Sequence, residues 1–477
     1  MQYFGVYTAY LILLIMLAGR AGHPGGVVYL SILVSISMLS LVVVFNPWRK
    51  DLFEPLKAAV GLYGLSFGLG PLLLGPSGNY EIWYYGVAAS KDFFTTGAIL
   101  CAQGVLALLA GYMAVSPRYW NPPEIVRTFA GQDSINRKML WGGMGIGFVG
   151  FASYVVLVTR SGGIQHFLTY SDARSEIFSG VYGGFYWGTY FMISGLSLVG
   201  ATIVRRHPFM TLLLGVVVGA LFALLQGRAD AIIPILVCVV LVNYGYKRIR
   251  FRTLVVASCA LLLCASMMGA YRSADREVAR DDIRSVTDEF FENAYEHFTE
   301  TFATDIERLD IVLVAYRYVK QGGDLKKGET LLGWLSPVAR QFFGATEDEF
   351  QTAGPLLFQV LNPQVRDVRA GAQPSLLGEL YLNFALPGVL IGLFVYGILL
   401  KMVGKLVNKH ALNDFDLALY PYVLVMAAML VISGTHVVFR IVVAVAGVVI
   451  IGLFTQRARA GQKPKRRVRR SRLRTGC

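Results

Sequence analysis

The stretch GVVYLSILVSISMLSLVVVF, residues 26–45, contains 20 residues and no charged side chain. An α-helix rises about 1.5 Å per residue, so a run of this length spans the roughly 30 Å hydrocarbon core of a bilayer. The loop NPWRKD, residues 46–51, follows directly and places Arg49 and Lys50 just after the C-terminal end of this stretch. Because basic residues collect in cytoplasmic loops, this stretch predicts a membrane helix whose C-terminal end faces the cytoplasm.

Similar apolar runs recur along the whole chain of 477 residues, of which 55% are hydrophobic and 16% charged. This composition excludes an ordinary soluble domain and predicts an all-α polytopic membrane protein. We predict twelve transmembrane helices, at about residues 4–19, 26–45, 56–75, 93–115, 139–159, 184–204, 209–226, 229–246, 252–270, 376–403, 418–434 and 436–455. We expect the first run to be a retained helix, because neither a basic N-terminal region nor a small-residue cleavage site accompanies it.

Lys and Arg concentrate in alternate loops between these runs. The basic loops are residues 46–51, 116–138, 205–208, 246–252 and 401–410. With twelve spans, the five basic loops and both termini fall on the same side of the membrane. The positive-inside rule therefore predicts that both termini are cytoplasmic.

The formal net charge of +14 is concentrated at the C-terminus. Residues 456–477 hold ten Lys or Arg and no acidic residue. A polybasic stretch directly after a span is typical of binding to anionic lipid at the cytoplasmic surface, so we expect membrane lipids and no nucleic acid as partners. Four of the five cysteines lie within predicted spans, and we expect no disulfide.

One long segment, residues 271–373, interrupts the spans on the predicted outer face. It contains 18 acidic and 12 basic residues. Within it, Phe291, Tyr295, Phe298 and Phe302 recur at the spacing of an amphipathic helix. We therefore predict a large helical loop domain between spans nine and ten. The predicted organisation is spans one to nine in residues 1–270, the outer domain in 271–373, spans ten to twelve in 374–455 and a cytoplasmic tail in 456–477.

Ionisable residues gather at the predicted outer ends of the spans. Such groups cost about 2.5–3.5 kcal/mol at the centre of a membrane helix, so each one present needs a reason. Glu379 and Asn383 lie one helical turn apart in PSLLGELYLNFALPGVLIG, residues 374–392. Arginines on the same side include Arg174, Arg228, Arg272, Arg340 and Arg440. Because guanidinium groups bind phosphate oxygens in pairs, the set predicts a site for a phosphate-bearing lipid head group.

Most of these side chains also have a structural interpretation. Arg228 and Asp230 suit an ion pair that caps the turn between spans seven and eight, and a neighbouring arginine can satisfy Glu379. Tyr182 and Trp187 can stack on sugars, or belong to the aromatic belt of the membrane interface. The sequence contains no Walker loop and no His/Cys cluster, so we expect no cofactor and no metal site.

Several stretches, taken in order, resemble those of a known family. They are GGIQHFLTYSDARSEIFSG (162–180), the Gly227-Arg228 turn that opens span eight, GETLLGWLSPVARQFFG (328–344) and the stretch at 374–392. Together with the late outer loop, they resemble the bacterial oligosaccharide repeat-unit polymerases, the Wzy or O-antigen polymerase group. The resemblance covers roughly residues 60–455.

The resemblance implies a GT-C type membrane glycosyltransferase that joins repeat units at the periplasmic face of the bacterial inner membrane. It implies that donor and acceptor are both carried on undecaprenyl diphosphate, that no metal takes part, and that a chain-length regulator protein is a further partner. The five arginines above would bind the diphosphate, Arg228 and Arg272 foremost. The base would be Glu379, with His436, Glu176 and Asp230 as rivals, and the sugar-binding residues would be Tyr182, Trp187 and Tyr381.

Three other functions stay open on the sequence: an O-antigen ligase or another lipid-to-acceptor transferase, a transporter, and a non-enzymatic assembly or sensor protein. The related O-antigen ligases share this layout, but a His-Asn pair typically precedes their late helix, where this chain has Pro374-Ser375. A transporter or flippase for a lipid-linked oligosaccharide would also suit twelve spans. No internal repeat relates the two halves of the chain, and this weakens the transporter interpretation.

Overall fold

The computed structural model describes residues 8, 10–12, 15, 26–45, 53–74, 81–82, 87–88, 91–115, 136–160, 163, 183–225, 228–250, 252–254, 256, 308–335, 353–361, 374–408 and 414–460. Within these residues the elements are helices, apart from one antiparallel pair of two-residue strands, β1 (Glu81–Ile82) and β2 (Val87–Ala88), in which Glu81 lies opposite Ala88. The predicted all-α class is confirmed.

Where a predicted span is described, its helices follow it closely. The α-helices with established bounds, in chain order, are α1 (Gly26–Val44), α2 (Pro55–Gly64), α3 (Gly70–Leu74), α4 (Lys91–Ala114), α5 (Arg137–Arg160), α6 (Gly183–Gly188), α7 (Phe191–Ile203), α8 (Pro208–Leu225), α9 (Arg228–Gly245), α10 (Leu309–Lys320), α11 (Glu329–Leu332), α12 (Ala353–Leu361), α13 (Leu376–Asn408), α14 (Asp414–Ser433) and α15 (Val437–Ala460). Single turns of π-helix at Leu65–Leu69 and of 3₁₀-helix at Gly333–Leu335 and Gly434–His436 connect some of them.

Among the described residues, seven helical segments are long and apolar enough to cross a membrane. These segments are Val27–Val44, Pro55–Leu73, Phe93–Ala114, Arg137–Arg160, Leu376–Gly404, Asp414–Ser433 and Val437–Phe454. Pro208–Leu224 and Asp230–Gly245 are shorter apolar helices at predicted spans seven and eight. Most of the runs at 4–19 and 252–270 lies outside the described residues, so the total of twelve spans and the location of the termini stay predictions.

Contacts near the ends of the helices bring together, at one end of the bundle, the described residues that flank the five predicted basic loops, and we name this end the basic-loop end. Each contact joins residues that lie in or near two different basic loops. The contacts are hydrogen bonds from Tyr112 to Glu54 (2.7 Å) and from Tyr420 to the carbonyl of Phe53 (2.7 Å), the pair of Tyr244 and Tyr420 hydroxyls (3.4 Å), and the ion pair of Arg205 with Asp414 (3.3 Å). This common end is the arrangement that the alternating charge predicts.

The buried core has two halves. Helices α1, α2, α4, α10 and α13 form most of one cluster of apolar side chains, and α5, α7, α9, α14 and α15 form most of the other. Glycines allow α4 and α13 to pack backbone against backbone, because a Cβ on Gly111 would collide with the carbonyl oxygen of Phe394, and one on Gly397 with that of Leu108.

Helix α13 is broken near its start. Ala385 has φ 53° and ψ −147°, a conformation that only glycine adopts readily. The chain folds back at this residue, so that a Cβ on Gly388 would lie 2.5 Å from the carbonyl oxygen of Leu380. A Cβ on Gly392 would likewise meet the Leu380 side chain. Both glycines therefore allow a close contact with the first part of the same helix.

The described part of the segment 271–373 packs on the membrane helices. Leu309–Ala315 of α10 are buried, and Leu313 lies against Gly97 of α4. Residues 329–335 form α11 and the 3₁₀ turn Gly333–Leu335. The amphipathic helix predicted at Phe291, Tyr295, Phe298 and Phe302 lies outside the described residues. The domain boundaries stay predictions.

Candidate active site

Glu379 lies in the short first part of α13, before the break at Ala385. The hydroxyl of Ser375 accepts a hydrogen bond from the amide of Gly378 (3.1 Å) and caps this helix, a role for which serine is well suited. Only 1% of Glu379 is exposed. A carboxylate so deeply buried requires hydrogen-bond donors around it.

Thr435 supplies two donors to Glu379. Its backbone amide donates to Oε2 and its hydroxyl donates to Oε1, each over 2.7 Å. Gly434, at φ 65°, permits this approach, because a Cβ there would lie 2.6 Å from Oε2. Among the described residues, neutral donors of Thr435 therefore hold the carboxylate that was expected to contact an arginine.

Asn383 lies on the same face of this helix as Glu379, as predicted, and connects it to the outer segment. Its Nδ2 donates to the hydroxyl of Thr330 (2.6 Å) and to the carbonyl oxygen of Glu379 (2.7 Å). Its Oδ1 accepts a hydrogen bond from the amide of Gly328 (2.8 Å). The stretches 328–344 and 374–392 thus meet at one buried amide, next to the turn that carries Thr435.

A second polar cluster surrounds Asp230 at the start of α9. Nη1 of Arg440 donates to both carboxylate oxygens of Asp230, at 2.7 and 2.9 Å. Tyr190 donates from its hydroxyl to the same carboxylate over 3.3 Å. The Asp230 side chain is 6% exposed and that of Arg440 23% exposed. The acid is therefore paired with the arginine of the last helix, and the side chain of Arg228 lies outside the described residues.

Trp187 lies beside the Asp230–Arg440 pair. Its ring meets that of Phe439 edge to face, with centroids 4.5 Å apart, and stacks on Tyr190 at 6.0 Å. Tyr381 is placed elsewhere, because it is buried and packs against Tyr316 with ring centroids 5.8 Å apart. Of these two predicted sugar-binding residues, the structure thus places Trp187 in the cluster around Asp230.

The turn Gly434–His436 joins the two clusters. Thr435 bonds to Glu379, and Arg440 follows five residues later, which is about 7.5 Å along a helix. His436 lies between them in sequence, and its side chain is outside the described residues. Arg174, Glu176, Tyr182, Arg272 and Arg340 are also outside the described residues. Asp230, Trp187, Glu379 and Arg440 are therefore the predicted site residues that the structure brings to one region.

Arg308 is a further buried cation that sequence reasoning missed. Its amide donates to the carbonyl oxygen of Ser66 in the π-turn (3.2 Å), and its Nε donates to the carbonyl oxygen of Ile432 (3.0 Å). Ile432 lies three residues before Thr435, so Arg308 supports the backbone that leads into the turn. The signal available in the sequence was an arginine directly before the apolar run LDIVLVA, residues 309–315.

This region offers carboxylates, hydroxyls and guanidinium groups. Among the described residues, no three His, Cys, Asp or Glu side chains lie close enough together to hold a metal ion. The described groups can accept a proton and bind an anion, and these are the functions that transfer from a phosphorylated donor requires.

Comparison with known proteins gives one match. The sequence model of a family described as O-antigen polysaccharide polymerase Wzy matches residues 4–457, which is nearly the whole chain. No curated protein and no solved structure matches. The family match agrees with the resemblance found in the sequence. The chain belongs to the O-antigen polysaccharide polymerase Wzy family.

Proposed function

We propose a specific form of the repeat-unit polymerisation that family membership supports broadly. We propose that this chain joins undecaprenyl-diphosphate-linked repeat units at the bundle end opposite the basic-loop end, that this end faces the periplasm, and that the transfer needs no metal. The observation that carries the proposal is the convergence of residues 328–330, 379–383 and 434–440 at that end. These are separate parts of the chain, and each contributes a polar group to one region.

The proposed reaction is a substitution at the anomeric carbon of the donor sugar. The hydroxyl oxygen of the acceptor repeat unit forms the new glycosidic bond, and the bond between the anomeric carbon and the diphosphate oxygen breaks. Undecaprenyl diphosphate leaves with the bonding electrons, and the hydroxyl proton passes to a base. The protein must therefore stabilise negative charge on the diphosphate and provide the base.

Arg440 is the described residue best placed to bind the diphosphate. Asp230 is bonded to Nη1, so the bonds seen among the described residues leave Nε and Nη2 for phosphate oxygens. A guanidinium held on one side by a carboxylate is preorganised for an anion on the other. Arg228, Arg272, Arg174 and Arg340 are the additional arginines that we propose for this role.

Glu379 is the proposed base, and it acts through Thr435. The hydroxyl of Thr435 donates to Oε1 of Glu379 and retains lone pairs that can accept a hydrogen bond from the acceptor hydroxyl. The proton of the acceptor then moves to Thr435 as the Thr435 proton moves to Glu379. By this route a buried carboxylate can take up the proton of a substrate that it does not contact. His436 and Glu176 are the alternative bases.

Two substitutions of Thr435 test this route in a deletion strain. Thr435→Val keeps the backbone donor and removes the hydroxyl, whereas Thr435→Ser keeps both. At equal amounts of membrane-inserted protein, we expect long polysaccharide from the Ser variant and a strong loss of polymer from the Val variant. Full-length polymer from the Val variant would exclude the relay and favour His436 or Glu176.

A further inference from the structure

A groove of about 430 Å³ lies at the basic-loop end, far from the proposed active site. It is formed by the start of α5 and the end of α15. Its lining consists of Arg137, Lys138, Trp141, Gly142, Ile451 and Phe454. The two helices touch beside the groove, where a Cβ on Gly142 would lie 2.5 Å from Cγ2 of Ile451.

The lining combines positive charge with apolar surface. Arg137 and Lys138 are both exposed, and no acidic side chain of the described residues pairs with either. Trp141 is 66% exposed and Phe454 is 69% exposed. Two adjacent cations above an aromatic and aliphatic wall match a molecule with an anionic head and a hydrocarbon chain.

The location of the groove identifies the source of such a molecule. Arg137 is the first residue of a helix long and apolar enough to span the membrane, and Phe454 is the last residue of another such segment. The groove therefore lies at the level where lipid head groups meet acyl chains. Residues 456–477, which follow this segment, contain ten basic residues that attract anionic lipid to the same surface.

We infer that this groove is a binding site for an anionic phospholipid of the adjoining leaflet. The phosphate lies against Arg137 and Lys138, and one acyl chain lies along Trp141, Ile451 and Phe454. A soluble phosphate would not contact the apolar side chains of the groove. A zwitterionic lipid carries a cation that the two basic side chains repel. The bound lipid joins the start of α5 to the end of α15.

Lipid titration of the purified full-length protein by native mass spectrometry tests this site. The probes are phosphatidylglycerol and phosphatidylcholine with identical acyl chains. We expect the wild type to retain phosphatidylglycerol preferentially. We expect Arg137→Gln/Lys138→Gln to bind it about tenfold more weakly, because the variant loses charged hydrogen bonds to the phosphate.

The matched control is Lys247→Gln/Arg250→Gln, which removes the same charge from exposed residues at the same end outside the groove. We expect this control to keep the wild-type affinity. If phosphatidylglycerol affinity falls equally in both double variants, the effect comes from net charge alone and the proposed site is wrong. Equal retention of the two lipids by the wild type would also overturn the site. If the groove variant does not fold, Trp141→Ala serves instead, and unchanged phosphatidylglycerol affinity in it would also overturn the site.

Discussion

Thr435 donates two hydrogen bonds to the carboxylate of Glu379, one from its amide and one from its hydroxyl, each over 2.7 Å. The two residues are 56 positions apart in sequence. Through this contact the short helix before Ala385 is fixed to the turn that opens the last helix. Any change in Glu379 therefore acts on both the proposed proton route and the position of Arg440.

Glu379→Gln is expected to reduce the polymerisation rate at least about a hundredfold, because an amide cannot accept the proton that a general base removes. The measurement is the rate of polymer formation per folded protein in isolated membranes. Asp324→Asn is the control, since Asp324 is an exposed acid of the same outer segment outside the proposed site and its substitution removes the same charge. A Glu379→Gln variant as fast as this control would contradict the role of Glu379.

Substitutions at Asp230 and Arg440 are expected to separate stability from activity. Arg440→Gln leaves Asp230 buried without its cation, and removal of one partner of a buried ion pair costs about 3–5 kcal/mol. Asp230→Asn/Arg440→Gln removes both charges, so thermal unfolding in detergent should recover toward the wild-type temperature. Polymerisation should stay absent in the double variant, because the proposed diphosphate ligand is missing. A double variant that is both stable and active would show that the pair is only structural.

Ala385→Gly is expected to raise the unfolding temperature. The observed backbone conformation costs a residue with a Cβ about 1–3 kcal/mol, and glycine adopts it freely at an entropic cost of about 0.5–1 kcal/mol. Ala107→Gly, in the regular helix α4, is the control and should lower the unfolding temperature. If Ala385→Gly destabilises the protein as much as the control does, the chain does not break at this residue as described.

Gly111→Ala is expected to destabilise the protein, because the new Cβ would collide with the carbonyl oxygen of Phe394 and separate α4 from α13. Gly145→Ala provides the comparison, since a Cβ at Gly145 meets nothing within 4 Å. That change should be neutral or stabilise by up to about 1 kcal/mol through helix propensity. Thermal unfolding of both variants in the same detergent measures the difference, and equal behaviour would contradict the close packing of the two helices.

The positions of the helices could be predicted from the sequence, because run length and flanking charge define a membrane span locally. The run at 93–115 is observed as Lys91–Ala114, and the run at 139–159 as Arg137–Arg160. The break at Ala385 could not be predicted, since Pro387 fits a kink as well as a reversal. The fold-back is held by contacts of Asn383 with residues more than 50 positions earlier.

The hydrogen-bond and ion-pair partners within the site could not be predicted from the sequence either. Asp230 has Arg228 two residues away, yet its described ion pair is with Arg440, 210 positions later. Likewise, the sequence offered arginines as partners for Glu379, whereas a neutral threonine holds it. Packing between residues far apart in the sequence decides which donor reaches a buried carboxylate. Such contacts cannot be predicted from a single sequence.

The central claim is that this chain forms a glycosidic polymer from lipid-linked repeat units. The most direct measurement incubates the purified protein in lipid nanodiscs with one defined undecaprenyl-diphosphate repeat unit and follows product length by electrophoresis and mass spectrometry. The account predicts a ladder of products that differ by one repeat unit, with release of undecaprenyl diphosphate, and no ladder from folded Asp230→Asn/Arg440→Gln. Unchanged substrate with the folded wild-type protein would contradict it.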